Sequence, residues 1–161
     1  MVNIKIHRGT SQIGGTITEI YTENTHIFVD FGSELTVNPE DSTDNKMIEM
    51  IKNAKCDAVL FSHYHGDHVG LLEHIPKKDI RGNDIILGIG KVARQVLVNI
   101  QNTLANNKLL ETEERRVHKN MLNLLQDDKR WLDFMDALTA GNEENCTFNI
   151  GDFHIISESF G

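Results

Sequence analysis

The chain of 161 residues carries 16 Lys and Arg against 24 Asp and Glu, a formal net charge of −8, with 39% hydrophobic and 25% charged side chains. This is the composition of an ordinary folded protein with length for one sizeable core, and its acidic balance argues against a broadly basic nucleic-acid-binding face, because phosphate binding is driven largely by Lys and Arg. No apolar run approaches membrane-spanning length, the opening residues lack a signal-peptide core, and Cys56 and Cys146 stand far apart without a CxxC pairing, so a cytoplasmic protein with buried, reduced thiols and no membrane partner is expected.

Val2, Ile4 and Ile6 alternate with Asn3, Lys5 and His7, the two-residue period of a half-buried strand. The run Gly9 to Gly15 reads as a close-approach loop. A glycine loop cradles phosphate when it opens a helix, but Thr16 to Tyr21 is β-branched and alternating, so tight packing between strands is the better reading of Gly14 and Gly15. Thr22 to Thr25 form a polar turn, and His26 to Asp30 a returning strand, with His26 expected near solvent. Asp41 to Asp44 offer N-caps for an amphipathic helix carrying Met47, Ile48, Met50 and Ile51, after which Asp57 to Phe61 forms a buried strand.

That strand delivers His63-Tyr64-His65-Gly66-Asp67-His68, three histidines and an aspartate in six residues. If the backbone stays extended, His63, His65 and Asp67 share a face, and His68 joins them only where the chain turns at Gly66. Such a mixture of nitrogen and oxygen donors suits zinc, and also iron or manganese. Val69 to Ile75 then reads as a short helix, with His74 structural or solvated. Asp84 to Gly88 is a further strand and Lys91 to Ile100 a helix, an alternation that indicates a layered α/β architecture. Thr112 to Leu138 has the spacing of a long helix with room for a break; its charged face from Glu111 to Lys119 is read as solvated, with His118 among those charges. Gly141-Asn142 is expected to stop that helix, and Cys146 to Ile156 reads as a hairpin turning at Gly151-Asp152, carrying His154 on a face left open.

The six-residue motif resembles the signature of the metallo-β-lactamase superfamily. The opening Ile4-Lys5-Ile6-His7-Arg8-Gly9, Gln12-Ile13-Gly14-Gly15 and Ile27 to Gly32 are similar to the ribonuclease J-like, β-CASP-type branch. The resemblance implies a two-metal zinc centre, with manganese or iron as other occupants, in which His63 and His65 bind one ion and Asp67 and His68 the other. Asp67 would also help position the attacking water, and Asp30 would orient the histidine loop from behind. It further implies a single domain over 1–161 corresponding to the N-terminal part of an αββα sandwich, incomplete, with a helical segment at about 90–140, because no later residue matches the family's third histidine or bridging aspartate.

The implied activity is metal-dependent hydrolysis, with RNA or DNA phosphodiesters as preferred substrates and a thioesterase or glyoxalase-like reaction as the runner-up. A non-catalytic, self-associating family member is the alternative of a different class. A half sandwich exposes apolar sheet surface and strand edges, so a homo-oligomer is expected.

Overall fold

The computed structural model describes residues 1–35, 40, 42–132 and 146–157. Alternating β-branched and aromatic residues build five strands, β1 (Asn3–Arg8), β2 (Ile17–Tyr21), β3 (His26–Val29), β4 (Ala58–Phe61) and β5 (Ile86–Ile89), into one sheet of that order. β1 to β3 form an antiparallel meander, while β3, β4 and β5 run parallel. Parallel neighbours need crossovers. The first contains α1 (Asp44–Lys52); the second contains α2 (Gly66–Val69) and a 3-10 turn at Leu72–His74. α3 (Lys91–Ala105) and α4 (Thr112–Asp127) follow, and β6 (Cys146–Ile150) with β7 (Phe153–Ser157) make a separate hairpin. The layered α/β architecture is the one expected.

Register assigns the two faces of the sheet. Phe28, Val59 and Leu87 pair across β3, β4 and β5, and with Ile17, Phe61 and Ile89 they form a core against Met47 and Ile51 of α1, Leu97 of α3 and Leu125 of α4. Burying each such side chain contributes ~1.5–3 kcal/mol before chain entropy is set against it. The opposite row, Ile27, Ala58 and Ile86, lies beneath Phe148, Ile150, Phe153 and Ile155 of the hairpin.

That second row continues through Ile20 to Ile4, and there the cover ends. Val2, Ile4 and Ile6, expected to face inward, are 60%, 69% and 52% exposed. The buried residues at the end of β1 are the polar ones. His7 stacks on Phe28, and its Nε2 lies 2.7 Å from Glu19 Oε2. His26, expected near solvent, instead stacks on Tyr21 and meets Glu19 Oε1 at 2.7 Å. Glu19 is itself buried, so two imidazoles occupy its two carboxylate oxygens, as a buried charge requires.

The long helix from Thr112 is shorter than its periodicity suggests and ends at Asp127. Trp131 continues the apolar spacing because it is buried, but it enters the core from extended chain. Arg130 and Leu132 pair with the edge of β5 through Leu87 N–H to Arg130 O (2.9 Å) and Leu132 N–H to Leu87 O (2.9 Å). Tertiary pairing thus overrides local helix preference. Residues 133–138 of the expected helix, its stop at Gly141-Asn142 and the Cys146 side chain lie outside the described ones. Cys56 is a buried free thiol whose pKa burial pushes well above the ordinary range, so it is inert.

Candidate metal centre

The histidine motif leaves the sheet at the carboxyl end of β4, where parallel α/β sheets present their ligands. His65 has extended backbone and stands as the N-cap of α2, and the helix begins at Gly66. Asp67 and His68 therefore come from a helical first turn. The extended reading, which put His63, His65 and Asp67 on one face, changes accordingly. Ligand atoms of His63, Asp67 and His68 all lie within 4.8 Å of one another, close enough for side-chain adjustment to bring them onto one ion. His65 stands beside this group, its ring centroid 4.8 Å from that of His63 and perpendicular to it.

Asp30 organises the group. It follows β3 with φ +61°, the one described residue other than glycine in the left-handed region, which aspartate tolerates better than most side chains. Its N–H donates to Leu60 O (2.9 Å), anchoring the bend to β4. Its buried carboxylate accepts from Ser62 N–H (2.8 Å) and Ser62 Oγ–H (2.9 Å), and from Nδ1 of His68 (2.7 Å). A carboxylate here only accepts, so the His68 proton belongs on Nδ1 and the Nε2 lone pair is left for a metal. The His63 Nδ1 lies 3.0 Å from Ser62 Oγ, which has already given its proton to Asp30, so the same logic presents His63 through Nε2. Burial, followed by the neighbouring His68 and His65 imidazoles, lowers the His63 pKa and keeps the ring neutral and able to ligate at neutral pH.

Backbone contacts hold the turn in place. Phe31 N–H donates to His68 O (2.8 Å), Ser33 N–H to Gly66 O (2.9 Å), Leu71 N–H to Phe31 O (3.0 Å) and Thr16 N–H to Asp67 O (3.2 Å). A Cβ on Gly32 would lie 1.8 Å from Asp67 O, so only glycine lets the two chains approach this closely. Gly14, at φ +77°, likewise abuts the Asp67 Cβ, giving the glycine loop a packing task beneath the site.

The role of Arg8 is not visible in the sequence. Its buried guanidinium donates through Nε to Gly15 O (2.7 Å), through Nη1 to Asp44 Oδ1 (2.7 Å), and through Nη2 to Gly32 O. One side chain thereby ties the glycine loop, the Asp30–Gly32 bend and α1 together. The polar residue directly before a glycine loop was its only sequence signal. His74 is exposed with Glu73 as its partner, His118 meets Gln101 at 2.9 Å, and His154 meets Asn149 at 2.8 Å; none of the three joins the triad.

The donor set, two imidazoles and one carboxylate, fits zinc, and Asp30 supplies the outer hydrogen bond that a ligating histidine characteristically donates. All three side chains are half-buried, which leaves water access to them.

No curated protein matches the chain. Among solved structures, a protein of unknown function from Enterococcus faecalis V583 is 21% identical, over 70% of this chain and 31% of that one, with a TM-score of 0.44. AidC, a dizinc quorum-quenching lactonase in complex with a product, N-hexnoyl-L-homoserine, is 17% identical over 74% of this chain and 43% of that one, with a TM-score of 0.41. The chain thus spans less than half the length of either. Residues 12–80, the stretch that builds the centre, match the metallo-beta-lactamase superfamily.

Proposed function

We propose that the chain carries the metal-binding loop of a metal-dependent hydrolase. The observation that carries this reading is the convergence of His63, Asp67 and His68 within 4.8 Å, with His68 held by buried Asp30. Zinc is the preferred ion on donor chemistry, and His65, beside His63, is the next donor for a second ion. When bound, the metal supplies Lewis acidity and a water acidified toward neutral pH. Asp67, acceptor-only when ionised, orients an attacking water by taking a hydrogen bond from it. Asp30 and Ser62 fix the imidazole tautomers, so the metal-facing nitrogens need no proton shift before they bind. Phosphodiesters, the preferred substrates by resemblance, and acyl compounds both suit this chemistry, because fold and ligands do not choose a substrate.

The test is hydrolysis of a panel containing an oligonucleotide, bis(p-nitrophenyl) phosphate and p-nitrophenyl esters, with and without added zinc or manganese. Zinc- or manganese-dependent turnover lost in both His63→Ala and Asp67→Ala is the expected result. Turnover indifferent to metal, or retained in both variants, would sink the hydrolase reading. A second reading, a non-catalytic chain acting through self-association, draws support from the exposed Val2, Ile4 and Ile6 strip on the edge strand.

A further inference from the structure

The three imidazoles of the histidine motif are held in different ways. His68 and His63 are each fixed by an oxygen at Nδ1, the first by Asp30 at 2.7 Å and the second by Ser62 at 3.0 Å. The His65 side chain has no hydrogen-bond partner among the described residues, although its backbone caps α2. It is exposed, and on one side it borders a cavity of about 340 Å³, so packing there does not confine the ring. It also stands outside the group that His63, Asp67 and His68 form within 4.8 Å. A side chain left this free loses rotamer entropy when it binds, which weakens it as a ligand.

What His65 does touch is aromatic. Its ring centroid lies 4.7 Å from that of Tyr64, inclined at 57°, and 4.8 Å from that of His63, at 90°. Both separations fall within the ~4.5–7 Å of favourable ring pairs. Tyr64 is the anchored member of its pair, since it is half-buried and packs against the main core cluster. Consecutive side chains of an extended strand point to opposite faces. Here α2 starts immediately after His65, whose own backbone is extended (φ −70°, ψ 149°), and the two rings meet at that turn. The phenol oxygen has no hydrogen-bond partner among the described residues, so the ring rather than the hydroxyl makes the contact.

We infer that Tyr64 is a positioning residue: its ring, seated on the core, fixes the His65 imidazole beside His63 and presets it for the second ion. The inference rests on the proposed metal-dependent hydrolase reading, and it supplies a hold for the one imidazole that hydrogen bonds leave free. The contact favours the ligating form of His65. An imidazole that shares its lone pair with a cation becomes electron-poor, and an electron-poor ring is drawn to the negative face of an aromatic neighbour. Tyr64 thus acts through His65 and not as a ligand.

The test uses the full 161-residue chain, first metal-free and then titrated with zinc. NMR shifts of the His65 ring protons report the ring contact without metal. They should stand away from random-coil values in the parent chain and in Tyr64→Phe, and move toward them in Tyr64→Leu, which keeps apolar volume against the core. In the titration, Tyr64→Leu should weaken the second, weaker zinc ~2–12-fold, the equivalent of the ~0.5–1.5 kcal/mol of one aromatic pair. Tyr64→Phe should bind both ions as the parent does. His65→Ala should weaken the same step at least as far, and adding Tyr64→Leu to it should cost nothing further. Both ions weakened equally in Tyr64→Leu, a Tyr64→Phe protein as deficient as Tyr64→Leu, or additive losses in the double variant would each overturn the inference. So would a single bound zinc with the same affinity in all the variants, or His65 ring shifts at random-coil values in the parent. If Tyr64→Leu fails to fold, the shifts and zinc affinities of the parent, Tyr64→Phe and His65→Ala decide the matter. A parent chain that takes up no zinc defeats the hydrolase reading, and the ring shifts alone then decide whether Tyr64 positions His65.

Discussion

Replacing Asp30 by Asn separates the support of the metal centre from the stability of the fold. Asparagine tolerates the φ of +61° at this position, and its carbonyl oxygen still accepts from Ser62 N–H, now 2.8 Å from the carboxylate. What disappears is the negative charge facing His68 Nδ1 at 2.7 Å, together with the requirement that this nitrogen carry the proton. A hydrogen bond to a charged group contributes ~1.5–3 kcal/mol, which is ~10–100-fold in a binding constant, the range seen when outer partners of metal-binding histidines are removed. Asp30→Asn is therefore expected to bind zinc ~10–100-fold more weakly, with metal-free stability lowered by only ~1–2 kcal/mol. Asp30→Ala, which also places a poorly tolerated side chain at positive φ, should lose at least ~3 kcal/mol. Zinc competition against a chromophoric chelator and urea melts of the metal-free chain give the two numbers. An Asp30→Asn protein with unchanged zinc affinity would refute the claim that this carboxylate presets His68.

Four further outcomes follow from the same geometry. Arg8→Met should destabilise the chain by ~3–5 kcal/mol in urea melts, because the Asp44 partner and two carbonyls lose a buried cation; a change under ~1 kcal/mol contradicts the clamp. At Glu19, burial pushes the carboxyl up, but hydrogen bonds from His7 and His26 more than offset it and hold the pKa below its ordinary 4.5. Because the folded value is the depressed one, this stabilisation is present above pH ~4.5 and is lost as pH falls through the folded pKa; the acid limb of stability against pH should flatten in Glu19→Gln, and superimposable limbs would reject the coupling. Gly32→Ala should abolish zinc retention by forcing the Asp30–Gly32 bend away from Asp67, and retention at the original affinity counts against that close approach. Light scattering should find the chain larger than a monomer, and Ile4→Lys smaller, if the exposed β1 strip drives association; a monodisperse monomer at high concentration rejects that expectation.

Much of this was legible in the residues themselves. Periodicity located β2, β3, β4 and the final hairpin, because each alternates or runs apolar between turn residues, and α1 and α3 followed from their apolar stripes. Asp30 was legible as a carboxylate ending a strand, and the structure places it against Ser62 and His68. The grouping within the histidine motif was not, since whether Gly66 opens a turn or a helix depends on a distant bend, where Ser33 pairs with Gly66 and Phe31 with His68. The inward row of β1 was misread for a related reason: alternation identifies two faces but not which one finds a cover, and here the hairpin reaches Ile27 but not Ile4. Likewise Glu19, His7 and His26 are each unremarkable in sequence, and only the register of β1, β2 and β3 brings them together.

The central claim is that His63, Asp67 and His68 form one metal-binding group. Zinc content per chain after gel filtration, measured for the unsubstituted protein and for His63→Ala, Asp67→Ala and His68→Ala, tests it most directly. The account predicts retained zinc in the first and loss in each of the three variants, with far-UV circular dichroism unchanged. Folded variants that retain the same zinc as the parent chain would contradict it.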